Sequence, residues 1–166
     1  IGDPQVRNRG TIGGSIANND PAADYPSACL ALNATIHTNS RKISAKDFFK
    51  GTFETALKKG ELITAIEFEV PEKSNYAKLP NPASRYAIVG VFVAKYKKEV
   101  RVAVTGAGSS VFRAKEIESA LSNNFSASAI DNINISAEEL NSDIHASAEY
   151  RANMIRAMAK RAISGC

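Results

Sequence analysis

Apolar positions follow a strand-like pattern most clearly in the second half of the chain. Residues 86–96 and 100–106 are apolar and rich in β-branched side chains, and a polar triplet at 97–99 separates them. This arrangement predicts a β-hairpin. Residues 76–79 are expected to begin a strand that precedes the hairpin. The pattern therefore predicts a three-stranded antiparallel sheet.

Helical spacing follows this sheet along the chain. Residues 115–122 and 126–133 predict two short helices, and residues 147–163 predict a longer one. In the longer helix, apolar side chains recur at every fourth position and form one face: Tyr150, Met154, Met158 and Ala162. We interpret this face as core or as a subunit contact. A sheet packed against helices is an α+β arrangement of layers.

Shorter, mixed elements are predicted for the first half. Residues 24–32 favour a helix, 34–38 and 41–44 a hairpin, 44–50 one helical turn, and 61–70 a strand that Pro71 closes. Residues 72–84 are polar and contain two further prolines. Because such a stretch is typical of a linker, the sequence predicts two domains, at residues 1–71 and 72–166.

The candidate chemistry lies in residues 7–26. The stretch from Thr11 to Ser15 contains adjacent glycines, which predicts a turn whose backbone can reach positive φ and approach a ligand closely. Its N–H groups and hydroxyls could then face an anion such as a phosphate. Asp24 offers a carboxylate to ligand hydroxyls. Taken alone, the glycines could form a plain turn and Asp24 could cap a helix.

Composition narrows the possible classes of protein. The 166 residues carry a net charge of +4, but basic and acidic side chains are interspersed, which favours a solvated surface over nucleic-acid binding. Two cysteines provide neither a disulfide framework nor the ligands of an iron–sulfur cluster. Cys29 lies in an apolar run and is expected to be a buried small residue. The two histidines are isolated, so no metal site is expected. No apolar run reaches the length of a membrane span, and a cytoplasmic location is expected.

Several longer stretches resemble one family. They are RNRGTIGGSIANNDPAADYP at residues 7–26, ASRYAIVGV at 83–91 and NSDIHASAEYR at 141–151. They are similar to the FAD-binding medium subunits of the molybdenum hydroxylases, the xanthine dehydrogenase and aerobic carbon monoxide dehydrogenase family, and most similar to the carbon monoxide dehydrogenase type. The resemblance implies the remainder of a PCMH-type FAD-binding domain, followed by a three-stranded antiparallel sheet packed on a helical bundle. It covers only the C-terminal part of such subunits, so we expect a fragment that is inactive by itself.

The resemblance also assigns contacts with FAD to particular residues. It implies that the segment from Gly10 to Ser15 faces the ribityl and phosphate groups, that Asp24 binds cofactor hydroxyls, and that Lys78 lies near the carbonyl edge of the flavin. The implied cofactor-binding residues are Gly10, Thr11, Ile12, Gly13, Gly14, Ser15, Asn18, Asp24, Leu62, Ile63 and Lys78. No catalytic acid, base or nucleophile is implied in this chain.

The same resemblance implies partners and a role. A large subunit with a molybdenum cofactor would oxidise the substrate, and a small subunit with two [2Fe-2S] clusters would relay electrons to FAD. The flavin would pass them to an external acceptor such as a quinone or NAD. Two alternatives stay open: a module that binds another nucleotide, and a non-catalytic assembly domain that does not hold FAD without the missing N-terminal segment.

Overall fold

The computed structural model describes all residues from Ile1 to Cys166, and it has an α+β fold. For clarity, we call residues 1–71 the N-terminal region and residues 72–166 the C-terminal region. The helices are α1 (Pro4–Arg9), α2 (Ile12–Asn18), α3 (Tyr25–Ala31), α4 (Ala45–Phe48), α5 (Lys115–Asn123) and α6 (Ala148–Ser164). The strands are β1 (Thr35–Thr38), β2 (Lys42–Ser44), β3 (Phe49–Gly51), β4 (Glu54–Thr55), β5 (Ile63–Glu67), β6 (Lys73–Pro80), β7 (Ala87–Lys95), β8 (Val100–Thr105) and β9 (Phe112–Arg113).

The C-terminal region contains an antiparallel sheet in the order β6-β7-β8-β9. The predicted hairpin is confirmed by β7 and β8, whose register pairs Val91 with Val104 and Val93 with Val102. The sheet has a fourth strand that the sequence did not predict. This strand, β9, has only two residues, which is too short to produce an alternating pattern.

Alternation along β7 gives the sheet two different faces. Val89, Val91 and Val93 are fully buried. They belong to a core of 16 buried residues, to which α5 and α6 also contribute side chains. The opposite face carries Gly90, Phe92 and Ala94, and Ala94 packs in a smaller cluster with α3. The sheet is therefore covered by its own helices on one face and by the N-terminal region on the other.

The predicted long helix is confirmed as α6, which Ser147 caps by accepting the N–H of Tyr150. Of the predicted face, Met158 and Ala162 are buried in the core, whereas Tyr150 is 46% exposed. The predicted helix at 126–133 is wrong in extent, because only a 3₁₀ turn at Ala127–Ile130 forms. None of the helices combines the length and hydropathy needed to cross a membrane.

A smaller sheet in the order β2-β1-β5 organises the N-terminal region. The predicted hairpin of β1 and β2 is confirmed, and the predicted strand at 61–70 forms over Ile63–Glu67. Seven buried residues, among them Ile16, Ile36 and Phe48, form the core between this sheet and α2. Cys29 also belongs to this core, and burial raises the pKa of its thiol to about 12. The prediction that it is a buried small residue is confirmed.

Residues 21–23 join the two regions. The hydroxyl of Thr105, at the end of β8, donates to the carbonyl oxygens of Pro21 and Ala23 at 2.9 and 2.7 Å. The N–H of Gly106 also donates to Pro21, at 2.7 Å. These bonds hold the start of α3, including Asp24, against the C-terminal end of the inner strand β8. The position of Asp24 therefore depends on both regions.

Candidate functional site

The two adjacent glycines lie in the first turn of helix α2. Thr11 precedes this helix, and its Oγ1 accepts the N–H of Gly14 at 3.0 Å. Neither glycine has positive φ. The predicted turn is therefore wrong: glycine weakens a helix by about 1 kcal/mol, but the threonine cap and the burial of Ile16 on the other side of the helix favour it. The N–H groups available to a ligand are those of a helical first turn.

A cavity of about 680 Å³ lies between α1, α2 and the start of α3. Its volume is in the range of about 300–1,000 Å³ that is common for small-molecule sites. Several of the predicted residues line it: Gly10, Thr11, Gly14, Ser15, Asn18 and Asp24. The structure thus brings the predicted segment and the predicted carboxylate to one cavity.

Arginine side chains also line this cavity. Arg7 and Arg9 lie in the last turn of α1 and are exposed. A guanidinium group presents several donors in a plane that matches the oxygens of a phosphate. The sequence analysis did not identify these two arginines. Their signal was available, since they directly precede Gly10 in the stretch that carries the family resemblance.

Asp24 stands before helix α3 but does not cap it. No N–H of the helix bonds to its side chain. Instead, its Oδ1 accepts the hydroxyl of Tyr76 at 2.5 Å and lies 2.9 Å from Nζ of Lys78, which is 3.1 Å from Oδ2. The interpretation of Asp24 as a helix cap is therefore wrong. Two predicted residues, 54 positions apart in the chain, form an ion pair.

Burial controls the chemistry of this cluster. The side chain of Asp24 is 10% exposed and that of Lys78 is 17% exposed. Burial, followed by the charge of Asp24 and the bond to it, raises the pKa of Tyr76 far above its ordinary value. Tyr76 is thus a hydroxyl donor throughout the physiological pH range. Its signal was its position two residues before Lys78 on one strand, which places both side chains on the same face.

The remaining predicted residues lie elsewhere. Ile12 and Ile63 are half-buried and pack against the core of the N-terminal region. Leu62 is 68% exposed. Gly13 is half-buried, and the direction of its absent side chain is open space. Lys78 lines a neighbouring pocket with Arg7 and Arg85. None of these five predicted residues (Ile12, Gly13, Leu62, Ile63 and Lys78) lines the cavity at Asp24.

The arrangement suits binding more than acid–base chemistry. It combines two carboxylates, four hydroxyl-bearing side chains and two arginines around one cavity. No group of three or more His, Cys, Asp or Glu side chains comes together as metal ligands would. Such a site can hold a ligand that has both hydroxyl and anionic groups.

Comparisons with known proteins give matches over nearly the whole chain. Residues 1–72 match the model described as the FAD binding domain in molybdopterin dehydrogenase, and residues 74–165 match the CO dehydrogenase flavoprotein C-terminal domain. The glyceraldehyde dehydrogenase medium chain of Sulfolobus acidocaldarius is 46% identical, over 71% of this chain and 46% of the relative. The carbon monoxide dehydrogenase medium chain of Afipia carboxidovorans is 31% identical, over 98% of this chain and 62% of the relative.

A solved structure agrees with these matches. The reconstituted CO dehydrogenase from Oligotropha carboxidovorans superimposes with a TM-score of 0.84 at 30% identity, and the match covers 99% of this chain and 63% of that one. The chain therefore spans less than two thirds of the length of these relatives.

Proposed function

Because the chain belongs to the family of FAD-binding medium subunits of molybdenum hydroxylases, we propose that its cavity at Asp24 holds FAD and that it is the electron-transfer subunit of an oxidoreductase. The proposal rests on one observation above all. The carboxylate of Asp24 and five residues of the segment from Gly10 to Asn18, all of them predicted cofactor contacts, line the same cavity.

The chemistry of the donors supports FAD as the ligand. Asp24 offers a carboxylate acceptor to sugar or ribityl hydroxyls, while Thr11 and Ser15 add hydroxyls of their own. Arg7 and Arg9 supply the positive charge that a pyrophosphate requires. Gly13 lies outside the lining of the cavity, and nothing within 4 Å obstructs an approach to its backbone.

The flavin ring is assigned to a second group of residues. We place Leu62 and Ile63 against the ring and Lys78 near its carbonyl edge. The exposure of Leu62, 68%, supports this assignment because it leaves an apolar side chain available to a planar ligand. Because Lys78 forms an ion pair with Asp24, the carboxylate partly neutralises the positive charge that Lys78 presents to the ring. We assign Asn18 and Gly10 to the polar part of the cofactor, because both line the cavity at Asp24.

The role of the chain follows from what it holds. Bound FAD would supply the redox chemistry by which electrons can be accepted one at a time and passed on as a pair. This chain binds the cofactor, orients it and surrounds it with fixed charges. We propose that electrons arrive from the [2Fe-2S] clusters of a small subunit, that a large molybdenum-cofactor subunit oxidises the substrate, and that a quinone or NAD is the external acceptor. A cytoplasmic location and a division into two domains, at residues 1–71 and 72–166, remain predictions.

Visible absorbance tests the proposal most directly. The purified chain and its complete gene product are each incubated with excess FAD, desalted and scanned for retained flavin bands. We expect retention by the complete gene product and at least a tenfold weaker affinity in Asp24→Asn, because a bond to a charged acceptor is lost, at about 1.5–3 kcal/mol. Asp47→Asn is the matched control, since Asp47 lies on α4 outside the cavity.

The outcomes separate the alternatives. A complete gene product that stays colourless but binds other nucleotides would contradict the flavin assignment and favour a different nucleotide. If residues 1–166 stayed colourless while the complete gene product turned yellow, segments outside these residues would be needed to hold FAD. Partner binding without any cofactor in the complete product would favour the non-catalytic assembly domain.

A further inference from the structure

The hydroxyl of Tyr76 crosses a gap that only a glycine leaves open. Tyr76 lies on β6 and Gly90 on the neighbouring strand β7, where Gly90 pairs with Lys78. A Cβ atom at Gly90 would lie 2.2 Å from the Tyr76 hydroxyl oxygen and 2.9 Å from a methyl carbon of Thr105. Because real carbon atoms do not approach an oxygen so closely, any other residue at 90 would displace the hydroxyl. The position of the Tyr76 hydroxyl therefore depends on a glycine at residue 90 of the neighbouring strand.

The Tyr76 hydroxyl donates a hydrogen bond to Asp24 and thereby occupies one acceptor position of its carboxylate. A carboxylate has about four acceptor positions. Here Oδ1 accepts from Tyr76 and, with Oδ2, contacts the ammonium of Lys78. Oδ2 also lies 3.6 Å from the amino nitrogen of Ile1. This contact and that of Lys78 still leave acceptor capacity on Oδ2, and Asp24 lines the cavity. The tyrosine ring itself is fixed by a stacking contact with Phe92, 6.2 Å between centroids.

We propose that Tyr76 is a positioning residue of the cofactor site, which acts through Asp24: its hydroxyl fixes the carboxylate so that Oδ2 accepts from the ligand. The inference rests on the proposed function, since the ligand is taken to be FAD. It also assigns Gly90 a part in the site, because Gly90 provides the space for the hydroxyl.

Loss of the hydroxyl has two consequences. Asp24 can then rotate or turn towards Lys78, so the ligand loses a preorganised acceptor. In addition, the carboxylate loses a donor that reduces its negative charge density, and a more negative site disfavours the electron-rich reduced flavin. Tyr76→Phe should therefore weaken FAD binding by about tenfold. It should also shift the midpoint potential of bound flavin to a more negative value.

Both quantities are measured in the complete gene product, by flavin fluorescence titration and by redox titration. Tyr96→Phe is the matched control, since Tyr96 donates to the Glu69 carbonyl oxygen, away from the cavity. It should change neither quantity. Equal values for the two variants would overturn the inference. A loss of affinity with an unchanged potential, in proportion to a fall in melting temperature, would also overturn it, because it would indicate a structural role alone.

A second background tests whether Tyr76 acts through Asp24. In Asp24→Asn, Tyr76→Phe should weaken binding by less than about twofold, because the group that it positions is already changed. An undiminished tenfold loss in that background would overturn the inference. Absence of FAD from the wild-type complete product would instead contradict the proposed function, so the two failures are distinguishable.

Discussion

The N-terminal and C-terminal regions are stabilised in different ways. The C-terminal region has 16 buried core residues between long strands, of eight, nine and six residues, and its helices. The N-terminal region has a core of seven buried residues and strands of two to five residues. Because apolar burial is the main source of stability, we expect most of the free energy of folding to come from the C-terminal region.

Directional polar contacts supplement the small core of the N-terminal region. The amide of Asn19, which is 1% exposed, donates to the carbonyl oxygens of Gly51 and Glu54, both at 2.8 Å. The carboxylate of Glu61 is 3% exposed and accepts two bonds from Arg41, at 2.8 and 3.0 Å. The cavity lies in this polar region. We therefore expect the residues of the proposed cofactor site to be positioned by directional bonds, with most of the apolar stabilisation supplied by the C-terminal region.

The largest expected effects come from truncating each core. Ile155→Ala should reduce the free energy of unfolding by about 4 kcal/mol, and Ile36→Ala by about 3 kcal/mol, since both side chains are fully buried and the smaller core can relax more. Urea denaturation measures these changes. Hydrogen exchange should distinguish them further. Ile36→Ala should speed exchange in β1 and β2 while β7 and β8 stay protected.

Ile144→Ala is the matched control, because Ile144 is 95% exposed. Its effect should stay within about 0.5 kcal/mol. If Ile36→Ala raised exchange in β7 and β8 as much as in β1 and β2, the two regions would unfold as one unit. The contrast between their cores would then have no consequence for stability.

The next effect concerns the junction between the regions. Thr105→Val keeps the shape of the side chain but removes its two bonds to the carbonyl oxygens of Pro21 and Ala23. The Ala23 carbonyl oxygen then loses its donor, whereas that of Pro21 keeps the N–H of Gly106. The free energy of unfolding should fall by about 1–3 kcal/mol. Thermal unfolding measures this loss. FAD affinity should also fall, because residues 21–23 carry Asp24.

Thr64→Val is the control for this change, since Thr64 is exposed and its single bond, to the His37 carbonyl oxygen, is 3.3 Å long. It should alter neither stability nor affinity by a measurable amount. A Thr105→Val variant that loses stability yet retains full affinity would show that Asp24 does not depend on this junction.

The sequence predicted the elements that have strong periodic patterns. The hairpin of β7 and β8 and helix α6 follow from apolar spacing, because their positions face one large core. Strand β9 was missed because two residues cannot show a period. The helical first turn at Gly13 and Gly14 was missed because the propensity of glycine favours a turn, whereas tertiary burial of Ile16 decided the outcome.

The site was predictable only as separate pieces. The resemblance named Asp24 and Lys78, but their ion pair depends on how residues 21–23 dock on β7 and β8, a long-range arrangement that no local pattern encodes. Tyr76 carries no motif of its own. The spacing of Tyr76 and Lys78 indicates a shared face. The proposed role of Tyr76 depends on the register of β6 and β7, which places it beside Gly90.

The smallest effect should be the pH dependence of the N-terminal region. Hydrogen bonds from Arg41, followed by the N–H of Lys58, hold the pKa of Glu61 well below its ordinary value of 4.5. Because the folded pKa is depressed, this contribution to stability is complete above pH 4.5 and is lost as the pH falls towards the folded value.

The wild type should therefore lose melting temperature between about pH 5 and pH 3. Glu61→Gln should flatten that part of the profile. Arg41→Gln should flatten it as well, since it removes the main cause of the shift. A wild-type slope retained in both variants would show that the acid sensitivity arises outside this polar network.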